Sequence, residues 1–215
     1  MATDRVAPDV GTCRRPRSTV PHARAPMRRI AACGVALCSL TLLAAAARAT
    51  SVVTKSFQQL CAEADVIFVA TVTDVRSQWS DPNHRAIETV VSFGDVALTY
   101  GSPTDATTLR LSGGELDDIR EEVAGVPQFT VGERVLLFVR RQHAVSPIVG
   151  LNQGCFRIVE SGRGPVLLTA DGHPVLGLRN GALEVGPSTA GTENAVALPT
   201  FLEWVRQEVA QRNRE

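Results

Sequence analysis

Side chains able to do chemistry are few in this chain and widely spaced. Beyond residue 49 there are two cysteines, Cys61 and Cys155, three histidines, His84, His143 and His173, and a single lysine, Lys55. A nucleophilic cysteine or serine needs a base within hydrogen-bond reach and a third group to orient that base. The histidines are instead isolated, each in a stretch that reads as turn or loop. The sequence has no G-x-S-x-G elbow, P-loop, G-x-G-x-x-G fingerprint or H-E-x-x-H zinc motif. Two cysteines about 94 positions apart do not have zinc-ligand spacing. A single lysine leaves little material for phosphate cradles or Schiff-base chemistry. No cofactor is implied.

Two glycine-flexed loops stand out, Ser112-Gly113-Gly114 and Gly150-Leu151-Asn152-Gln153-Gly154. Loops on a rigid scaffold commonly carry binding, and Asn152 and Gln153 suit a polar ligand such as a sugar. Gly113, Gly114, Asn152 and Gln153 are therefore candidate ligand contacts. Positive-φ turns and bulges explain the glycines more simply. Trp79, beside a turn, is either a stacking residue for a ligand or the cap of a hairpin.

The start of the chain says where these groups work. Met27-Arg28-Arg29 precedes an uncharged run from Ile30 to Ala47, and Ala47-Arg48-Ala49 closes it. A basic start, an apolar stretch and an A-x-A site make a secretory signal, with cleavage expected after Ala49 and translation expected from Met27. A retained membrane anchor is the alternative, since the 18 residues of the run are near the lower limit for a span. The box Ile30-Ala31-Ala32-Cys33 does not make a lipoprotein, because the apolar stretch follows it. After cleavage no stable membrane span is expected, and the protein is secreted or periplasmic.

Removing the leader changes the charge. Of 22 basic and 22 acidic side chains, eight arginines and two aspartates precede residue 50. The rest carries 14 and 20, a net of −6. Nucleic acid is therefore not an expected partner, since it demands a basic footprint. In an oxidising compartment Cys61 and Cys155 are expected to form one disulfide. It would close about 94 residues and contribute about 4–5 kcal/mol in the chain-entropy model. The acidic cluster Glu115, Asp117, Asp118, Glu121, Glu122 lies where calcium is plentiful, and Asp117, Asp118 and Glu121 are its candidate ligands. The spacing is not that of an EF-hand, and a solvated helical face paired locally with Arg120 accounts for the same residues.

The elements that must position these groups are mostly strands. Ser56 to Ala64 reads as a short helix with Ser56 as N-cap and Phe57, Leu60, Cys61 and Ala64 on one face. Residues 66–79 and 85–100 read as a long hairpin around the turn 80–83, with Gly94 marking a bulge or bend. Residues 107–111 make a third strand. Residues 115–126 form an excursion with one helical turn, because Leu116, Ile119 and Val123 share helical spacing. Residues 134–141 make a fourth strand, and 146–149 with 155–159 an interrupted fifth. A meander follows over 166–185, with tight turns at Asp171-Gly172 and Asn180-Gly181. A polar linker leads to a terminal amphipathic helix over 199–212, with Phe201, Leu202, Val205 and Val209 apolar and Trp204 docking it. The fold class expected is mainly β: a small five-stranded OB-like barrel with a short N-terminal helix, an extra C-terminal meander and a terminal helix. A β-sandwich is the alternative. The organisation expected is an extension plus signal over 1–49, a barrel over 50–160, and the meander, linker and helix over 161–215.

Three stretches carry a resemblance: Ala64-Asp65-Val66-Ile67-Phe68-Val69-Ala70-Thr71-Val72, Gly132-Glu133-Arg134-Val135-Leu136-Leu137-Phe138, and Gly150-Leu151-Asn152-Gln153-Gly154-Cys155-Phe156. Together they resemble exported bacterial proteins without an assigned activity. Residues 56–160 also look like the netrin-type module shared with tissue inhibitors of metalloproteinases, which implies an OB barrel. Inhibitors of that type meet the protease zinc through an N-terminal cysteine, whereas here the expected terminus is Thr50 and the first cysteine Cys61. The function expected is that of an exported, non-enzymatic binding or interaction protein, with another exported protein as a candidate partner. A protease inhibitor or protease-associated module is the alternative, and a hydrolase with an unrecognised site the second.

Overall fold

The computed structural model describes residues 53–102, 107–142, 145–212 and 214. The leader expected over 1–49 and the loop histidine His143 lie outside these residues. Among the described residues no helix is long and apolar enough to cross a membrane.

Helix α1, Phe57–Glu63, opens on a complete capping box. The Ser56 hydroxyl accepts from the Gln59 backbone N–H at 3.1 Å, and the Gln59 side chain accepts from the Ser56 N–H at 2.8 Å. The helix turns Phe57, Leu60 and Cys61 inward. Strands β1, Val66–Trp79, and β2, Ile87–Tyr100, form the expected long hairpin. Its register shifts where Val69 faces Ala97 while Thr71 faces Gly94. The extra β2 residues there include Asp95, at φ 49°, so the bulge falls at the glycine the sequence singles out.

These two strands sit inside a six-stranded antiparallel sheet. It also holds β3, Thr108–Ser112, β6, Arg134–Val139, β7, Cys155–Ser161, and β8, Gly164–Thr169, in the order β3-β2-β1-β6-β7-β8. Its edges are β3 and β8, and among the described residues no ladder joins them into a closed barrel. Strands β3 and β6 lie three strand positions apart, about 14 Å in a flat sheet. The Ser112 N–H and hydroxyl both donate to the carbonyl of Val145, in the loop that follows β6.

Both faces of the sheet are covered, which is why β1 begins with an unbroken apolar run. Val66, Phe68, Ala70 and Val72 point into one core with Val91, Phe93, Leu109, Leu111, Leu137 and Ile148. Ile67 and Val69 point into the other, with Leu136, Phe138, Phe156, α1 and the terminal helix α2, Leu198–Arg212. Helix α2 buries Leu198, Phe201, Val205 and Val209. Phe201 meets Phe57 and Phe156 with ring centroids 5.5 and 5.2 Å away. Arg212 donates to the carbonyls of Cys61 and Ala64 at the end of α1 and lies 5.4 Å over the Tyr100 ring. The hairpin β9, Val175–Arg179, and β10, Ala182–Val185, closes on Asn180-Gly181, both at positive φ, the geometry of a tight hairpin turn.

Three expectations are corrected here. The excursion after β3 is a second hairpin, β4, Gly114–Leu116, with β5, Ile119–Glu121, and not a helical turn. Asp117 at φ 53° turns the chain, and the hairpin is stitched to the main sheet by Ser77 and Thr89. Residues 146–149 contribute a single bridge, Val139 to Ile148, and no strand. The disulfide is absent, because Cys61 and Cys155 are free thiols on opposite sides of the sheet. Cys61 lies in the core under the helices, while Cys155 precedes Phe156 on β7 and so points to the other face. Strand β7 runs to Ser161, and β8 extends the same sheet.

Candidate functional site

The residues singled out in the sequence fall into two cavities and one hairpin tip. Gly113, Gly114 and Glu121 line a cavity of about 280 Å³ between the β4–β5 hairpin and the segment Val126–Phe129. Its local geometry is that of a fastening. The Thr89 hydroxyl donates to the Gly113 carbonyl at 2.7 Å, and the Glu121 carboxylate accepts from the Ile87 N–H at 2.8 Å. Asp117 and Asp118 stand exposed on the turn between β4 and β5. Among the described residues no three His, Cys, Asp or Glu side chains gather to hold a metal ion, the candidate calcium ligands Asp117, Asp118 and Glu121 included.

Gly113 shows why glycine sits here. At φ 91° an added Cβ would lie 2.7 Å from the Glu121 carbonyl oxygen, a backbone atom that cannot step aside. Gly113→Ala is expected to lose about 2–3 kcal/mol, combining strain and overlap. Gly132→Ala, at φ 88° in open space, is expected to lose only about 1 kcal/mol. Urea unfolding of both variants checks this, and equal midpoints would rule out the backbone overlap.

Trp79 lies at neither cavity. It stacks on His84 with centroids 4.7 Å apart and planes at 13°, closing the tip of the β1–β2 hairpin.

Asn152 and Gln153 line the larger cavity, about 330 Å³, between the N-terminal strap, α1, the Gly150–Gly154 loop and the β9–β10 hairpin. Its floor is core: Leu60 and Phe156 are each 1% exposed. Leu183 and Val185 of β10 form the wall opposite. Gln153 is engaged by the strap, accepting from the Lys55 N–H at 2.7 Å and donating to the Val53 carbonyl at 3.1 Å. It behaves as a substitute strand partner, so its amide is structural.

Asn152 donates instead to the Asp171 carboxylate, at 3.1 Å to Oδ2. His173 joins the same rim. Its Nδ1 lies 3.1 Å from the Gly186 carbonyl and must donate there, so on the neutral ring Nε2 keeps its lone pair. Lys55, the cation of this lining, is ion-paired with Glu63. Asp171, His173 and Leu183 were not distinguishable in the sequence as ligand contacts. Asp171-Gly172 reads as turn chemistry, and Leu183 as one residue of a short strand.

No protein-family model matches the chain, and neither does any curated protein.

The two thiols have no part in either cavity's chemistry. Burial pushes both Cys61 and Cys155 up to about 12, so each stays a neutral thiol at physiological pH.

Proposed function

We propose that residues 50–215 are an exported, non-enzymatic binding protein that takes a small ligand in the cavity between α1, the Gly150–Gly154 loop and the β9–β10 hairpin. One observation carries this reading. A cavity of about 330 Å³ reaches the core residues Leu60 and Phe156 while its rim holds Asn152, Thr169, Asp171 and His173. A concave apolar site with a few convergent polar groups is the usual form of a small-molecule pocket, at about 300–1,000 Å³. The long bulged strands β1 and β2, and the Ser112–Val145 hydrogen bonds across the gap beyond β3, support a partly open OB-like barrel as the scaffold. The netrin-type alternative gains no support from Cys61. Its thiol is sealed in α1 at 1% exposure and is not offered to a protease metal.

The test begins with the full chain expressed in a bacterial host. A mature N-terminus at Thr50 in the extracytoplasmic fraction is expected, and full-length protein retained in the cytoplasm would overturn export. Native mass spectrometry of that material is expected to show a small-molecule adduct that Leu183→Trp removes. An adduct unchanged in Leu183→Trp would place binding elsewhere.

A further inference from the structure

The rim of the larger cavity is chemically one-sided, and this narrows the ligand. Its charged lining groups are Lys55 and Asp171. The Lys55 ammonium is held by Glu63, which also lies 3.9 Å from Arg140, so Lys55 is turned to a partner outside the rim. Asp171 receives a hydrogen bond from the neutral amide of Asn152, which leaves its charge uncompensated. His173 adds a second acceptor, because donation from Nδ1 to Gly186 leaves the lone pair on Nε2. The polar groups at the mouth thus favour a donor, and a positively charged donor most. The net charge of −6 over residues 50–215 acts in the same direction at long range.

The apolar part of the cavity sets the other half of the ligand. Leu60, Phe156, Leu183 and Val185 surround a space of about 330 Å³. A dry cavity of about 150 Å³ lined by similar side chains holds benzene. This one therefore has room for a ring with a short chain attached.

Resting on the binding reading above, we infer that the cavity takes a small amphipathic amine. Its ammonium is held by the Asp171 carboxylate and His173 Nε2, and its apolar body lies against Leu60 and Phe156. Binding is non-covalent, with no bond made or broken.

The test uses three probes with one skeleton and three heads: 3-phenylpropylamine, 3-phenyl-1-propanol and 3-phenylpropionate. Each is titrated into the exported chain by calorimetry. The amine is expected to bind about fivefold tighter than the alcohol, the factor a partly solvated ion pair supplies, and the carboxylate weakest of all. Asp171→Asn is expected to bring amine and alcohol within twofold, and an unchanged thermal melting curve reports that the variant is folded. Chemical-shift changes at Leu60 and Phe156 should locate the probe without any substitution. Carboxylate binding equal to or tighter than amine would overturn the assignment, as would an amine preference that survives Asp171→Asn. If amine and alcohol bind equally well and both shift Phe156, the cavity stands as a binding site and the charge assignment falls. If none of the three binds, both fall.

Discussion

Phe201→Ala is expected to cost about 3–5 kcal/mol of stability, the range for emptying a buried phenylalanine site. Phe201 is 0% exposed and is the largest of the four side chains that the terminal helix buries in the core. Its ring touches Phe57 of α1, Phe156 of β7 and Trp204 of its own helix. Two of these partners belong to other elements, so deletion uncouples three parts of the structure at once. Aromatic pairing adds about 0.5–1.5 kcal/mol per contact beyond area burial, which places the loss toward the upper end. At about 2–4 °C per kcal/mol for a chain of this size, the melting temperature should fall by about 6–20 °C. Leu202→Ala, one position along and half-buried, is the control and should lose much less. Equal losses would show that α2 is held by its whole apolar surface and not by this ring.

The second large effect is alkaline. Both thiols are raised in the folded protein from an ordinary value of 9.0 to about 12, chiefly by burial. A raised folded value means that the native state holds its proton where the unfolded chain releases it. The contribution is therefore intact below about pH 9 and is lost as pH rises toward 12. Between those limits each thiol should tilt stability downward by about 1.4 kcal/mol per pH unit. The variant with both Cys61→Ala and Cys155→Ala should show a shallower slope over the same interval. Urea midpoints of both proteins across that interval check this, and superimposable slopes would sink it. The same thiols give a mass signature. Without reductant, alkylation should be negligible on native protein at neutral pH and should add two labels once the chain is unfolded. Absence of label in the unfolded, unreduced chain would restore the disulfide.

Much of the fold was legible because its signals are local. The Ser56 N-cap, the third strand over 107–111, the Asn180-Gly181 turn and the apolar face of α2 each depend on neighbours a few residues away. The unbroken apolar run Val66–Ala70 suits a strand covered on both faces, and its side chains do divide between the two cores. The β4–β5 hairpin was misread because Leu116, Ile119 and Val123 happen to share helical spacing. What decides that segment is remote: hydrogen bonds to Ser77, Ile87 and Thr89. The disulfide expectation failed for a related reason. Two cysteines in an exported chain state a composition, whereas pairing needs proximity, and here a β-sheet separates the two thiols. The candidate site was half legible. Asn152 and Gln153 do reach a cavity, but Gln153 is engaged by backbone atoms 98 and 100 positions away. Trp79 was readable as a hairpin cap because its partner His84 lies in the same turn.

The closure of α1 by α2 has a consequence for the order in which the molecule can assemble. The side chains that cover Phe57 and the groups that cap Cys61 and Ala64 belong to Phe201 and Arg212, at the far end of the chain. A growing or translocating polypeptide can pair β1 with β2 early. It cannot complete the core beneath the helices until its last dozen or so residues have emerged. The first helix among the described residues therefore waits for the last one, and contacts of such long sequence separation are the slow ones to form. A chain truncated before Leu198 would leave Phe57 and Phe156 without their Phe201 contact, the kind of exposed apolar surface on which partly folded chains aggregate.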